Sequence, residues 1–140
     1  MLTRCGDDLF SIVAATPADA QALAVQLRDG GDWLEVVPGI DSVTVQFDIG
    51  AMDAGTAQAI IEEILSEGVQ PLPASNKLVE IPVVYGGEHG PDLDELAART
   101  GLSADEIIAL HTGGEYDVDM VGFTPGFAFI GGLDERLRVP

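Results

Sequence analysis

Positive charge is what this sequence lacks most. It holds 6 Lys and Arg against 24 Asp and Glu, a formal net charge of −18. Lys77 is the only lysine. Phosphodiester backbones and anionic membrane surfaces are held by Lys and Arg, so nucleic acid and membranes are disfavoured as partners. Cysteine is nearly absent as well. Cys5 stands alone, which excludes an intramolecular disulfide framework and a cysteine-cluster metal site. His89 and His111 are the only histidines, and without neighbouring cysteines they make no metal site. No apolar run approaches the ~18 residues of a membrane span. The opening stretch MLTRCGDDLF has no apolar core of signal-peptide length, so the cytoplasm is the expected compartment. P-loop, dinucleotide fingerprint and Ser-His-Asp order are all missing, and no ATP site is legible.

What is present has an ordinary globular balance. The 140 residues are 46% hydrophobic and 21% charged, which argues against wholesale disorder and predicts one compact domain or two small ones. The acids are spread along the chain, as on a solvated surface. Adaptation to high salt is the alternative reading, because lysine is almost gone and Asp (14) outnumbers Glu (10).

Periodicity places the elements. Asp8–Ala14 reads as a strand. Thr16-Pro17 opens a helix whose Ala20, Leu23, Ala24 and Leu27 recur at i, i+3, i+4 and i+7, with Gly30-Gly31 ending it. Trp33–Val37 is a short strand. Val43, Val45, Phe47 and Ile49 alternate with polar residues in the clearest strand of the chain. A helix from about Asp53 to Glu67 buries Ala57, Ile60, Ile61, Ile64 and Leu65, with Gly68 beyond its end. Lys77–Tyr85 alternates again, and Pro82 suits it only to a sheet edge. The order βαββαβ predicts a ferredoxin-like α+β sandwich over residues 1–86. Gly86-Gly87-Glu88-His89-Gly90-Pro91 marks a boundary, and residues 87–140 form a second domain. There, Asp92–Thr100 and a helix opened by the Ser103-Ala104-Asp105-Glu106 capping box precede a strand at Tyr116–Val121. That is too little to close a β-domain, so either the chain is a fragment or a partner completes it.

Several residues bear on function. Residues 91–111 have the outline of a helix-turn-helix, but five carboxylates face Arg99 alone, which opposes DNA binding. His89, in the glycine-rich break, is either a solvated loop residue or a polar group presented to a cleft. His111 sits at a helix C-terminus, where the dipole favours a protonated imidazole. It is equally placed to be catalytic if Gly113-Gly114 turn it toward a site. Gly122-Phe123-Thr124-Pro125-Gly126-Phe127 carries the Pro-Gly of a type II turn. Its apolar walls and open backbone N–H groups also suit a small anionic ligand, which nominates Gly122, Phe123, Pro125, Gly126 and Phe127 as substrate contacts. Four linker residues and one strand separate His111 from this turn, so the two can share one ligand-facing surface.

Three strings carry a resemblance: Tyr85-Gly86-Gly87-Glu88-His89-Gly90-Pro91-Asp92-Leu93, His111-Thr112-Gly113-Gly114-Glu115-Tyr116-Asp117-Val118 and Gly122-Phe123-Thr124-Pro125-Gly126-Phe127-Ala128-Phe129. With Val36-Val37-Pro38-Gly39, they resemble the family of the 5-oxoprolinase B subunit. That family is also called allophanate hydrolase subunit 1 and includes Kip-type inhibitors of sporulation histidine kinases. The resemblance implies an N-terminal α+β domain followed by a cyclophilin-like β-barrel, incomplete here because the family's chain continues further. It implies one subunit of an ATP-dependent 5-oxoprolinase, opening 5-oxoproline to L-glutamate with subunits A and C. ATP would be used by the complex rather than by this chain, which alone would be inactive. His111 then becomes a catalytic candidate and the 122–127 turn a substrate-binding one, while His89 is a substrate-binding candidate from its place in the glycine-rich loop. The alternatives are a module that inhibits a sensor histidine kinase, or an allophanate hydrolase subunit.

Overall fold

The computed structural model describes residues 1–73, 77–122 and 124–139. They fall into two units, Met1–Ala74 with Asp119–Ala128, and Ser75–Val118 with Phe129–Pro140.

The first unit is a four-stranded antiparallel sheet with helices on one face. Its strands are β1 (Leu2–Arg4), β2 (Leu9–Val13), β3 (Glu35–Pro38) and β4 (Ser42–Gln46), in the order β1-β2-β4-β3. The helices are α1 (Pro17–Gly30) and α2 (Ala54–Ser66). The register follows the apolar alternation: Phe10 faces Val45, Ile12 faces Val43, and Val36 faces Val45 across the other edge of β4. These residues share the inner face with Phe47, and the helices close it with Ala20, Leu23, Ala24, Leu27, Ala57 and Ile61. A single side of each element is therefore apolar, and two layers satisfy both. Thr16 caps α1, its hydroxyl accepting the Asp19 N–H at 3.1 Å, with Pro17 in the first turn. Asp53 caps α2 by accepting the Thr56 N–H at 2.7 Å, which holds its carboxyl below the usual value of 3.8. Gly68, just past α2, takes φ 76°.

Two expectations change. Lys77–Tyr85 is not a strand. The edge beside β2 is occupied by β1, which pairs Leu2 with Ile12 and Arg4 with Phe10. A tight turn through Gly6 brings β1 there, with the Cys5 N–H donating to the Leu9 carbonyl at 2.8 Å. Pro82 offers no N–H for a ladder, so the 77–85 segment competes poorly for the same edge. Ile49 is exposed rather than buried with Val43, Val45 and Phe47. β4 ends at Gln46, and Asp48 folds the chain into a turn by accepting the Gly50 N–H on Oδ1 at 2.8 Å and the Met52 N–H on its carbonyl at 2.9 Å.

The second unit contains α3 (Leu93–Thr100) and α4 (Ala104–Thr112). Gly101 stops α3 in the left-handed conformation. Ser103 opens α4 through a complete capping box: its hydroxyl accepts the Glu106 N–H, and the Glu106 carboxylate accepts the Ser103 N–H at 2.8 Å. β5 (Asp117–Val121) and β6 (Ala128–Gly131) form a two-stranded sheet, and the boundary between units runs through both strands. Among the described residues no helix is long and apolar enough to cross a membrane.

Candidate functional site

A pocket of about 350 Å³ lies within the second unit. Its apolar wall comes from Leu93 and Leu96 of α3, Ile107 of α4, and Leu133 and Leu137. Its polar groups are Tyr85, His89, Asp92 and His111.

Each of these is placed by a local rule. The segment 86–90 folds back on itself, with the Gly90 N–H donating to the Gly86 carbonyl at 3.1 Å. A Cβ at Gly90 would lie 2.5 Å from the Gly86 nitrogen, and Gly86 itself has φ 71°, so this crossing tolerates only glycine at both positions. The loop carries Tyr85 on one side and a 3-10 turn at Gly87–His89 on the other. His89 is exposed, its Nε2 3.5 Å from the Glu88 carboxylate. The α4 capping box fixes where that helix begins, and its last turn delivers His111 to the pocket wall. Leu137 is seated by a 3-10 turn at Glu135–Leu137, capped by Asp134, whose carboxylate accepts the Arg136 N–H at 2.9 Å and both arms of its guanidinium at 3.0 and 2.8 Å.

His111 is held from two directions. Its Nδ1 is hydrogen-bonded to the Tyr85 hydroxyl at 2.5 Å. The Tyr116 hydroxyl donates to the His111 carbonyl at 2.8 Å. The Tyr85 ring meets the imidazole edge-on with centroids 5.7 Å apart, and the Tyr116 ring lies 5.5 Å away on a tilt. The chain has 2 tyrosines, and both are spent on this one histidine. Sequence reasoning missed their role. The signal was present in the strings that begin Tyr85-Gly86 and end near Tyr116, but nothing local says that both rings converge on His111.

His89 and His111 thus line one pocket. The 122–127 turn belongs to the first unit. The Phe127 N–H donates to the Thr124 carbonyl at 3.0 Å and Gly126 has φ 78°, which is the type II geometry expected of Pro125-Gly126. The Gly122 N–H donates to the Phe127 carbonyl at 3.0 Å and closes the turn. Pro125, Gly126 and Phe127 are exposed, and Phe123 lies outside the described residues. Among the described residues no group of three or more His, Cys, Asp or Glu side chains could hold a metal ion.

Comparison with known proteins gives a consistent result. The sequence matches the family described as "Carboxyltransferase domain, subdomain C and D" over residues 2–140. It is 36% identical to the 5-oxoprolinase B subunit of Bacillus subtilis (strain 168), covering 100% of this chain and 62% of that protein. It is 41% identical to the 5-oxoprolinase B subunit of Escherichia coli O157:H7, covering 84% of this chain and 54% of that one. The chain therefore spans little more than half the length of these relatives. A crystal structure of TTHA0988 superposes with a TM-score of 0.72 at 30% identity, over 100% of this chain and 28% of that one.

Proposed function

The chain belongs to the family of the carboxyltransferase domain, subdomains C and D, and we propose that it forms part of the B subunit of an ATP-dependent 5-oxoprolinase, acting with subunits A and C in the cytoplasm. The reaction opens the lactam of 5-oxoproline to L-glutamate. In this reading the first unit is a ferredoxin-like sandwich, and the segment that follows begins a cyclophilin-like barrel.

The observation that carries the reading is the His111–Tyr85 pair in the wall of a small apolar pocket, in a chain whose curated relatives share one name. Opening an amide requires a proton for the departing nitrogen and stabilisation of charge on the carbonyl oxygen. His111 is the donor of that proton. Its half-buried ring stands among Leu93, Leu96 and Ile107, where a five-membered lactam can displace water. His89, which lines the same pocket, contacts substrate. The pocket includes Asp92 and no Lys or Arg, so it does not suit a nucleoside triphosphate. ATP is used elsewhere in the complex, and no step on this chain is routed through it.

The test is reconstitution. The protein carrying these residues is combined with subunits A and C from the same genome, and glutamate formation from 5-oxoproline and ATP is followed. Turnover is expected only when all three are present. Turnover without this protein, or none with all three, overturns the assignment. His111→Ala in an intact complex is expected to lower turnover roughly 10²-fold, the usual scale for losing a general acid.

A further inference from the structure

We infer that Tyr85 is a positioning residue: its hydroxyl donates to His111 Nδ1 and so fixes the neutral imidazole as the Nε2–H tautomer, in which Nε2 offers a hydrogen bond to a small cyclic amide and gives up a proton only once Nδ1 is protonated as well, leaving a neutral ring. The inference rests on the lactam reading of the pocket only for its last clause.

A neutral imidazole has one N–H and one bare nitrogen. The Tyr85 hydroxyl lies on Nδ1. A phenol is a stronger donor than acceptor, so Nδ1 takes the accepting role and the ring proton moves to Nε2. Among the described residues no carboxylate is hydrogen-bonded to the ring in its place. Asp92 is the one carboxylate lining the pocket, and the phenol is the group bonded to the imidazole. Tyr116 acts on a different part of the residue. It holds the His111 carbonyl, fixing the backbone at the end of α4 and leaving the ring nitrogens to Tyr85. The hold on Nδ1 depends on where the chain turns after Tyr85, and Gly86 at φ 71° with Gly90 packed against it sets that turn. Backbone and ring are thus restrained by separate tyrosines, as expected where a donor must meet a reacting nitrogen at one angle.

The tautomer can be read without any assay of turnover. The chain has 2 histidines, so ring 15N resonances of labelled protein are assigned by comparison with His89→Gln. At a pH where the ring is neutral, His111 is expected to show a protonated Nε2 and an unprotonated Nδ1. Tyr85→Phe, which keeps the ring and loses the hydroxyl, is expected to move both shifts toward the average of the two tautomers. Tyr116→Phe is expected to leave them in place. In the reconstituted complex Tyr85→Phe should lower kcat about tenfold with little change in KM. A wild-type ring protonated on Nδ1 overturns the inference, and this measurement needs no change at Tyr85 or His111, only the assignment variant at the exposed His89. An unchanged spectrum in Tyr85→Phe overturns it as well. A tautomer shift with full 5-oxoproline turnover leaves the positioning role standing and removes the catalytic role of His111 proposed above.

Discussion

The two units solve the same problem with different means. The first buries twelve residues in one continuous core, from Phe10 and Ile12 on β2 to Ala57 and Ile61 on α2. In the second, Ile107 and Leu137 are the fully buried apolar residues among those described, and α3 buries none. Leu78, Val79, Ile81, Val83 and Val84 stand half to four-fifths exposed. What organises the second unit is a few individual contacts rather than a core: a capping box, a glycine crossing at 86–90, and a hydrogen-bonded Tyr–His–Tyr cluster. Burial grows with the number of layers that face each other, whereas caps and single hydrogen bonds each contribute about 1 kcal/mol. The pocket thus sits in the part of the molecule with the least packing behind it. Sites that open and close are drawn from such regions.

The sharpest way to break this comparison is to cut into each unit separately. Phe47→Ala removes a ring packed against Phe10, with centroids 5.8 Å apart, and is expected to cost about 3–5 kcal/mol. Ile107→Ala is expected to cost about 2–4 kcal/mol within the second unit. The single tryptophan, Trp33, packs on the first core and donates to the Leu27 carbonyl at 2.7 Å, so its fluorescence reports the first unit. In urea the Trp33 transition should shift strongly in Phe47→Ala and stay near wild type in Ile107→Ala. Equal shifts would mean that the units unfold as one, and the contrast would be lost.

That contrast also decides what could be read from the residues alone. The α1 stripe Ala20, Leu23, Ala24 and Leu27, and the alternation Phe10, Ile12, Val43, Val45, are legible because a self-contained core writes its period into each element. Caps at Thr16 and Ser103 and the Pro125-Gly126 turn are legible because they act within three residues. β1 is not legible, since three residues carry no period. Lys77–Tyr85 has the alternation of a strand, but pairing depends on a partner that local sequence does not name. The Tyr85–His111 contact spans 26 positions and depends on a glycine crossing in between, which no window of helix or strand length contains.

A smaller effect sharpens the view that local bonds carry the second unit. Ser103→Ala removes the acceptor of the Glu106 N–H and the hydroxyl that donates to the Glu106 carboxylate at 2.7 Å. The expected cost is about 1 kcal/mol, read as faster amide exchange in α4 with α1 unchanged. Those bonds from Ser103 also hold the Glu106 carboxyl below its usual 4.5, so in the variant it should titrate closer to that value. Unchanged exchange in α4 would show that packing at Ile107, rather than the cap, holds the helix.

The smallest expected effect concerns Asp134. Its carboxylate grips the Arg136 guanidinium with two bonds and accepts the Arg136 N–H, and these hold its pKa at about 2 against the usual 3.8. A carboxyl whose pKa is lower in the folded chain stabilises that state above the unfolded pKa and loses the contribution as pH falls toward the folded one. The window therefore runs from about pH 4 down to about pH 2. The Arg136 side chain is 63% exposed and that of Asp134 31%, so water still reaches the pair and screening keeps the effect small. Asp134→Asn retains an oxygen for the Arg136 N–H but removes the charge. Amide exchange at Leu137 and Arg138, which donate to the Asp134 and Glu135 carbonyls at 3.0 and 3.1 Å, reads the turn directly. Wild type should protect these amides better than the variant at pH 5, with the gap closing as pH approaches 2 and narrowing in high salt. A gap that stays constant across that range would mean the bonds, not the charge, seat Leu137 in the pocket wall.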